Sequence, residues 1–198
     1  MSIVVYSIKG GVGKTTLSVQ LAQMLKYTYV TNDSHSSAHN LMPEEKGFLV
    51  SKEDYDEIPF DKNIVYDFGG FKDSRINDII KQSKVIVIPT LTSIVDVQAT
   101  LATIKDVIKL NTNILIVINR TRSNNKAIEL KEYLSEELSN INHNINSKIV
   151  FVRDSSVLED SLFDCEYIED KAGTNRFKRH IYRNAIEDMK LLNKSLEL

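Results

Sequence analysis

The sequence predicts an α/β fold, in which a doubly wound, mostly parallel sheet is flanked by helices. Apolar runs suited to strands alternate along the chain with segments whose apolar residues recur at helical spacing. Two of these runs, residues 84–89 and 113–119, are almost wholly apolar, as expected of central parallel strands covered on both faces. A glycine-rich loop joins the first strand to the first helix. Ligands of such a sheet bind beyond the carboxyl ends of its strands.

Each element has its own signal. The predicted strands cover residues 3–5, 27–31, 63–66, 84–89, 113–119 and 148–152, with a short ordered piece near 48–50. Helical spacing of apolar residues predicts helices that follow residue 15 and cover 75–81, 97–108, 127–141 and 174–193. Residues 42–62 are charged and contain two prolines and a glycine, so they are interpreted as a surface excursion of unknown role.

Length and composition limit the number of domains and the classes of function that this chain can have. With 198 residues, 42% of them hydrophobic, the chain suits a single domain spanning residues 1–198. No apolar stretch is long enough to span a bilayer and the first residues lack a secretory signal, so we expect a cytoplasmic protein without membrane contact. One cysteine, Cys165, permits no internal disulfide. A net charge of −2 gives no global attraction to nucleic acid.

The sequence IKGGVGKTT, residues 8–16 and here called the glycine loop, indicates a phosphate site. Glycines let backbone N–H groups turn inward, and the N-terminus of the following helix adds the positive end of its dipole. Lys14 is expected to reach the β and γ phosphates, and Thr15 to offer its hydroxyl to Mg²⁺. The predicted nucleotide-binding residues are Gly10, Gly11, Val12, Gly13, Lys14, Thr15 and Thr16.

The glycine loop departs from the ordinary pattern, because Ile8 stands where a glycine is usual and a second lysine, Lys9, follows it. KGGVGKTT resembles the deviant Walker A motif of the ParA/MinD group of P-loop ATPases. The resemblance implies the P-loop NTPase fold, ATP and Mg²⁺ as cofactors, and a homodimer formed with ATP. It also implies a catalytic role for Lys9, which in that family crosses the dimer interface to the partner's nucleotide; a solvated loop lysine is the other interpretation.

Asp67 follows an apolar strand and precedes Gly69 and Gly70. This arrangement resembles a Walker B element, whose carboxylate holds Mg²⁺ through water. An aspartate also commonly ends a strand in a turn. We predict Thr15 and Asp67 as the metal-site residues.

Asp33 ends the second predicted strand, and His35 follows two residues later. Members of the resembled family usually carry two aspartates here, the second of which positions the attacking water, so His35 stands in place of the second. A neutral imidazole can still orient water. We therefore include Asp33 and His35 among the catalytic candidates, with slow or absent hydrolysis as the consequence if His35 is only a solvated loop residue.

Asn119 ends another predicted strand. In the resembled family an asparagine at this place binds the adenine edge, for which the paired donor and acceptor of an amide are suited. The alternative is a turn asparagine at a strand end.

The C-terminal segment is basic, and helical spacing puts Arg176, Arg179 and Arg183 on one stripe that could contact DNA phosphates. A solvated basic face is the other interpretation. The apolar residues of this helix are expected to pack it onto the domain: Phe177, Ile181, Ile186, Met189 and Leu192. A membrane-surface helix is disfavoured because the chain ends KSLEL, with an acid and no aromatic residue.

These features predict a small ParA-like ATPase of plasmid or chromosome partition, acting through nonspecific DNA binding and hydrolysis stimulated by a DNA-bound partner protein. The first strand begins near the first residue, so we expect no preceding helix-turn-helix and no operator-specific repression. Two alternatives remain open. One is a hydrolysis-poor, nucleotide-gated scaffold or positioning protein, and the other is an ATP-dependent small-molecule ligase or kinase.

Overall fold

A computed structural model describes residues 2–51, 63–69, 74–143 and 145–197. Its seven strands form one sheet in the order β3-β2-β4-β1-β5-β6-β7, and every neighbouring pair is parallel. The strands are β1 (Ser2–Tyr6), β2 (Thr28–Thr31), β3 (Gly47–Leu49), β4 (Ile64–Phe68), β5 (Val85–Thr90), β6 (Asn113–Thr121) and β7 (Asn146–Arg153). The predicted α/β sheet is confirmed, with the refinement that all described strands are parallel.

Helices cover both faces of the sheet. They are α1 (Lys14–Leu25), α2 (Ser74–Gln82), α3 (Ile94–Val107), α4 (Asn124–Ile141), α5 (Ser156–Phe163), α6 (Ile168–Ala172) and α7 (Arg176–Ser195), with a 3-10 turn at Ala38–Leu41. Apolar residues of α1, α5, α6 and α7 pack in one core cluster, and those of α2, α3 and α4 pack in a second. The sheet separates the two clusters because successive strand side chains point to opposite faces. This arrangement is the doubly wound one.

The strand order fixes where a ligand can bind. β1 lies between β4 and β5; α1 leads from β1 toward β2 on one side, whereas α3 leads from β5 to β6 on the other. Connections therefore diverge at the carboxyl ends of β1 and β5, which opens a crevice there. The glycine loop begins at this point.

Several expectations change. The segment between β7 and α7 holds two helices, α5 and α6, which the sequence patterns did not reveal. The prediction that Phe177 and Ile181 pack onto the domain was wrong, since their exposed fractions are 73% and 49%. The first half of α7 extends beyond the core, and only its later residues Ala185, Met189 and Leu192 are buried with Asp188.

Part of the predicted surface excursion, residues 52–62, lies outside the described residues, as does Gly70 of the Walker B-like turn. Among the described residues, no helix combines the length and hydropathy that a transmembrane span requires.

Candidate functional site

The glycine loop has the geometry of a phosphate cradle. Gly11 and Gly13 have left-handed backbones, with φ of 77° and 91°, and Gly13 is the N-cap of α1. A side chain is strained in this region of φ/ψ space, whereas glycine is not. The first turn of α1 carries no acidic residue, so its free N–H groups face the loop without a competing negative charge. The loop is therefore suited to an anion.

Asn119 braces the loop from β6. Its side-chain amide donates a 3.0 Å hydrogen bond to the carbonyl of Val12, and its Oδ1 accepts the N–H of Arg120 at 3.0 Å. A Cβ on Gly13 would lie 2.2 Å from the Asn119 nitrogen, so only glycine fits there. The structure thus gives Asn119 a bracing contact that sequence reasoning did not anticipate. Its predicted role toward adenine stays a prediction.

Lys14 and Thr15 begin α1 beside the loop. The ammonium of Lys14 donates a 3.2 Å hydrogen bond to the carbonyl of Lys9, which holds the long side chain folded back over the loop. A phosphate in the loop would offer this ammonium a charged acceptor in place of a neutral carbonyl, and charge-assisted hydrogen bonds are the stronger ones. The hydroxyl of Thr15 contacts the carboxylate of Asp67.

Asp67 lies within β4, paired in register with Val5 of β1, and is only 3% exposed. Burial raises the pKa of its carboxyl, while hydrogen bonds from Tyr29 and Thr15 and the positive charge of Lys14 act in the opposite direction. A buried carboxylate beside a threonine hydroxyl supplies the hard oxygen donors that Mg²⁺ prefers. The donor set at Thr15 and Asp67 therefore fits Mg²⁺.

Tyr29 was missed by sequence reasoning. It is fully buried on β2, and its hydroxyl donates a 2.8 Å hydrogen bond to Oδ2 of Asp67. Burial and the Asp67 charge both raise the pKa of this phenol, so it stays a donor. The signal available in the sequence was a tyrosine inside a strand, because a buried hydroxyl needs a partner.

The loop after β2 carries the other catalytic candidates. Asp33 and His35 are exposed, and the Asp33 carboxylate accepts the backbone N–H of His35 at 3.0 Å, which forms a local turn. The neighbouring Asn32 accepts the N–H of Gly69 at 2.9 Å and so ties the end of β2 to the end of β4. The roles of Asp33 and His35 in catalysis stay predictions.

Lys9 lies at the rim of the glycine loop. Its ammonium is 4.0 Å from Oδ1 of Asp96 on α3, with 39% of the lysine side chain exposed. Asp96 is held in the first turn of α3 by Ser93, whose hydroxyl bonds to its carboxylate and accepts its N–H at 3.3 Å. The ion pair is loose and accessible, so Lys9 can leave it at little cost.

An apolar surface adjoins Lys9. Ile94 and Val95 on the first turn of α3 are 67% and 57% exposed, and Ile8 of the glycine loop is 39% exposed. The loop is fastened to the same helix, because the N–H of Ile8 donates to the Thr103 hydroxyl at 3.3 Å. The rim of the site is therefore an apolar face with a cation beside it.

Arg176, Arg179 and Arg183 lie on the exposed first half of α7. Arg179 donates to the carbonyl of Gly173 at 2.6 Å, and Arg183 lies 3.7 Å from a carboxylate oxygen of Glu187. The three guanidinium groups thus lie on the surface, and among the described residues only that of Arg183 is paired with a carboxylate.

Three features together define a P-loop nucleotide-binding protein. They are a parallel doubly wound sheet, a glycine loop at the N-terminus of α1, and a buried aspartate on β4, the strand beside β1 in the sheet. Residues 3–161 match the family model described as the CobQ/CobB/MinD/ParA nucleotide binding domain. The chain belongs to this family, and is a P-loop protein of the ParA/MinD type. No curated protein matches the sequence.

Solved structures of several other proteins have the same fold as this chain. The ATP complex of Cyanothece McdA(D38A) superposes with a TM-score of 0.67 at 12% identity, covering 100% of this chain and 96% of that one. The cell division ATPase MinD of Pyrococcus furiosus gives 0.63 at 13% identity, covering 98% of each chain. The pnob8 ParA structure gives 0.61 at 14% identity, covering 98% of this chain and 96% of that one. At such identities the similarity concerns the fold alone.

Proposed function

We propose that this protein is an ATP-dependent, dimerising ATPase of the ParA type that acts in plasmid or chromosome partition. The observation that carries the proposal is the partly exposed side chain of Lys9 beside the apolar surface of Ile8, Ile94 and Val95. An exposed apolar surface favours burial against a second copy, and a loosely paired lysine at its edge is free to enter the facing site. The name of one similar structure, a cell division ATPase, supports ATP as the substrate.

The chemistry follows from the loop residues. The backbone of the glycine loop and Lys14 bind the phosphates, and Thr15 with Asp67 holds Mg²⁺, which supplies positive charge to the γ-phosphate when bound. Lys9 of the second copy adds a further cation where charge develops as water attacks. Asp33 and His35 lie on the loop after β2, from which His35 would orient that water.

DNA is the proposed surface that the dimer binds. Arg176, Arg179 and Arg183 present an exposed basic stripe, and such a stripe binds phosphates without reading sequence. A dimer doubles the number of phosphate contacts, so binding becomes dependent on ATP. A DNA-bound partner protein that stimulates hydrolysis would then release the dimer from DNA.

A second candidate function, a nucleotide-gated scaffold without measurable turnover, is favoured by one observation. The Asp33 carboxylate is engaged with the backbone of His35 and both residues are exposed, an arrangement that offers weak positioning of a water molecule. Phosphate release from the wild-type protein, measured with and without DNA, separates the two candidates. Phosphate release faster than in buffer without protein excludes the scaffold function.

Sedimentation with Mg²⁺ and a non-hydrolysable ATP analogue tests the proposed dimer. Wild-type protein should dimerise, Lys14→Ala should lose nucleotide binding, and Lys9→Ala should bind nucleotide as a monomer. The matched control is Lys126→Ala, which removes an exposed lysine of α4 and should dimerise normally. If Lys9→Ala dimerises at the same protein concentration as the wild type, Lys9 has no role across the interface. If Lys14→Ala binds nucleotide with unchanged affinity, the proposed nucleotide site is refuted.

A further inference from the structure

The edge strand β7 exposes hydrogen-bonding groups of its backbone. In the described sheet β7 pairs only with β6. The N–H of Asp154 reaches back to Thr121 on the β6 side, whereas the N–H of Arg153 points away and donates to Asp188 at 2.8 Å. Successive residues of a strand direct their backbone N–H and C=O groups to opposite sides. Ile149 and Phe151, which alternate with Arg153 along β7, therefore point their N–H and C=O groups away from β6 as well. They form a row of donors and acceptors along the edge.

A groove follows this row on both sides of the strand. Two adjoining cavities of about 530 and 540 Å³ lie along β7, with Lys131, Ile149, Val150 and Ser195 lining both. One wall belongs to α4 and the other to α7, so the groove runs the length of the strand. It is separated from β1 and the glycine loop by β5 and β6.

The walls of the groove are mainly apolar beside Phe151 and mainly polar toward Lys148. Ile128 of α4 and Leu191 of α7 are 49% and 57% exposed, on opposite sides of the strand. Ile149 and Phe151 pack toward the α4 core, and Val150 packs toward the α7 core, without being fully covered. An added strand would therefore bury apolar surface against Val150 and Leu191 on the α7 side, and its other face would meet Ile128 and Lys131 of α4.

The charge of the groove is positive. Lys131 and Lys148 line it, and the ammonium of Lys131 lies 5.8 Å from the ring centroid of Phe151. The carboxylate of Asp188 is already bound by the guanidinium of Arg153, with a shortest separation of 2.7 Å. Within the described part of the chain, neither lysine forms a salt bridge. The ammonium of Lys148 donates to the backbone carbonyl of Glu197 at 2.6 Å, whereas that of Lys131 is available to an acidic side chain.

We propose that the edge of β7 is a docking site for an extended segment of a partner protein in which aliphatic and acidic residues alternate. The segment adds an eighth strand whose backbone pairs with Ile149 and Phe151. Its aliphatic side chains pack on the α7 side, against Val150 and Leu191, and its carboxylates meet Lys131 on the α4 side. A second copy of this chain is the wrong occupant, because edge-to-edge pairing would bring the lysines of both copies together.

A synthetic peptide of alternating Glu and Val tests the proposal, with binding followed by fluorescence polarisation of a labelled form. The peptide should bind, and N-methylation of alternate residues should weaken it at least about tenfold, since the methyl groups block one hydrogen-bonding edge. A peptide of alternating Lys and Val should not bind. Amide exchange at Ile149 and Phe151 should slow on binding, whereas exchange at Val152, which faces β6, should not change.

Two matched pairs of variants locate the site. Lys131→Glu should weaken binding about tenfold, while Lys126→Glu on the same helix, outside the groove, should not. Ile128→Glu should weaken it similarly, while Phe177→Glu, an exposed apolar residue on α7, should not. The proposal is overturned if the Glu-Val peptide does not bind, if N-methylation leaves binding unchanged, if both members of a pair behave alike, or if the protein self-associates through this edge.

Discussion

The hydroxyl of Tyr29 donates a 2.8 Å hydrogen bond to Oδ2 of Asp67 across two neighbouring strands. Both residues are buried, and Thr15 contacts the same carboxylate from the start of α1. The predicted metal-site carboxylate is thus held by two hydroxyl groups, one beside the glycine loop and one inside the core. Its orientation and its protonation both depend on residues outside the nucleotide motifs.

Tyr29→Phe should weaken Mg²⁺-dependent ATP binding without removing it. The change deletes one donor from a buried carboxylate, which raises the pKa of Asp67 further and leaves an oxygen unsatisfied, at a cost of about 1–3 kcal/mol in stability. Mg²⁺ titration of ATP binding at several pH values measures the shift. The control Tyr6→Phe removes the hydroxyl of a buried tyrosine in the other core cluster and should leave the Mg²⁺ dependence unchanged.

Asp67→Asn should stabilise the nucleotide-free protein at neutral pH and abolish its stabilisation by Mg-ATP. The folded pKa of Asp67 is raised, so its contribution to stability is present below the unfolded pKa and is lost as pH rises through the folded pKa. The amide of the variant carries no charge, so its stability does not fall as pH rises. Each kcal/mol gained in the free energy of unfolding raises Tm by about 2–4 °C. Thermal unfolding between acid and neutral pH measures it; a wild-type protein more stable than the variant at neutral pH would contradict the prediction.

Asp96→Asn should strengthen ATP-dependent dimerisation by up to about fivefold. The change removes the charge that attracts Lys9 within its own chain, a partly exposed pair 4.0 Å apart that contributes at most about 1 kcal/mol, while an amide oxygen can still bond to Ser93. Sedimentation at several protein concentrations gives the dimer constant. Asp106→Asn, at the other end of α3, is the control and should leave that constant at the wild-type value.

Gly13→Ala should reduce stability and ATP affinity far more than Gly10→Ala. At Gly13 the backbone φ is 91° and a Cβ would lie 2.2 Å from the Asn119 amide, whereas a Cβ on Gly10 would meet nothing within 4 Å. The left-handed backbone alone costs about 1–2 kcal/mol in a residue other than glycine. Urea unfolding and ATP affinity measure the two effects, and equal losses in both variants would mean that the Asn119 brace does not constrain the loop.

Reversing the charge of Arg179 and Arg183 to Glu should reduce ATP-dependent DNA binding at least about tenfold at low salt, and flatten its salt dependence. Gel shifts with and without ATP, on DNA of unrelated sequences, measure both. Lys194→Glu, near the end of α7, is the matched control. An unchanged gel shift in the double variant would remove α7 from the DNA surface.

The strands and the long helices could be predicted from the sequence because their signals are local. β5 and β6 are continuous apolar runs and β1 leads directly into a glycine loop, so the fold class, the phosphate loop and the residues Lys14, Thr15 and Asp67 follow from neighbouring residues. The short helices α5 and α6 could not be predicted, because they carry little periodic pattern and are fixed by packing against α1 and α7. Phe177 and Ile181 were misjudged for the complementary reason: helical spacing cannot tell where a helix leaves the core.

The sequence by itself determined that this chain is a parallel α/β protein with a deviant phosphate loop and an aspartate at the end of a neighbouring strand. Only the tertiary structure decided that Tyr29 holds this aspartate, that Asn119 braces Val12 from 107 residues away, and that Lys9 meets Asp96. The open edge of β7 also became visible only when the strand order was known. The physical reason is range: strand, turn and helix preferences act over a few residues, whereas side-chain partners across a sheet are chosen by the order in which its strands assemble.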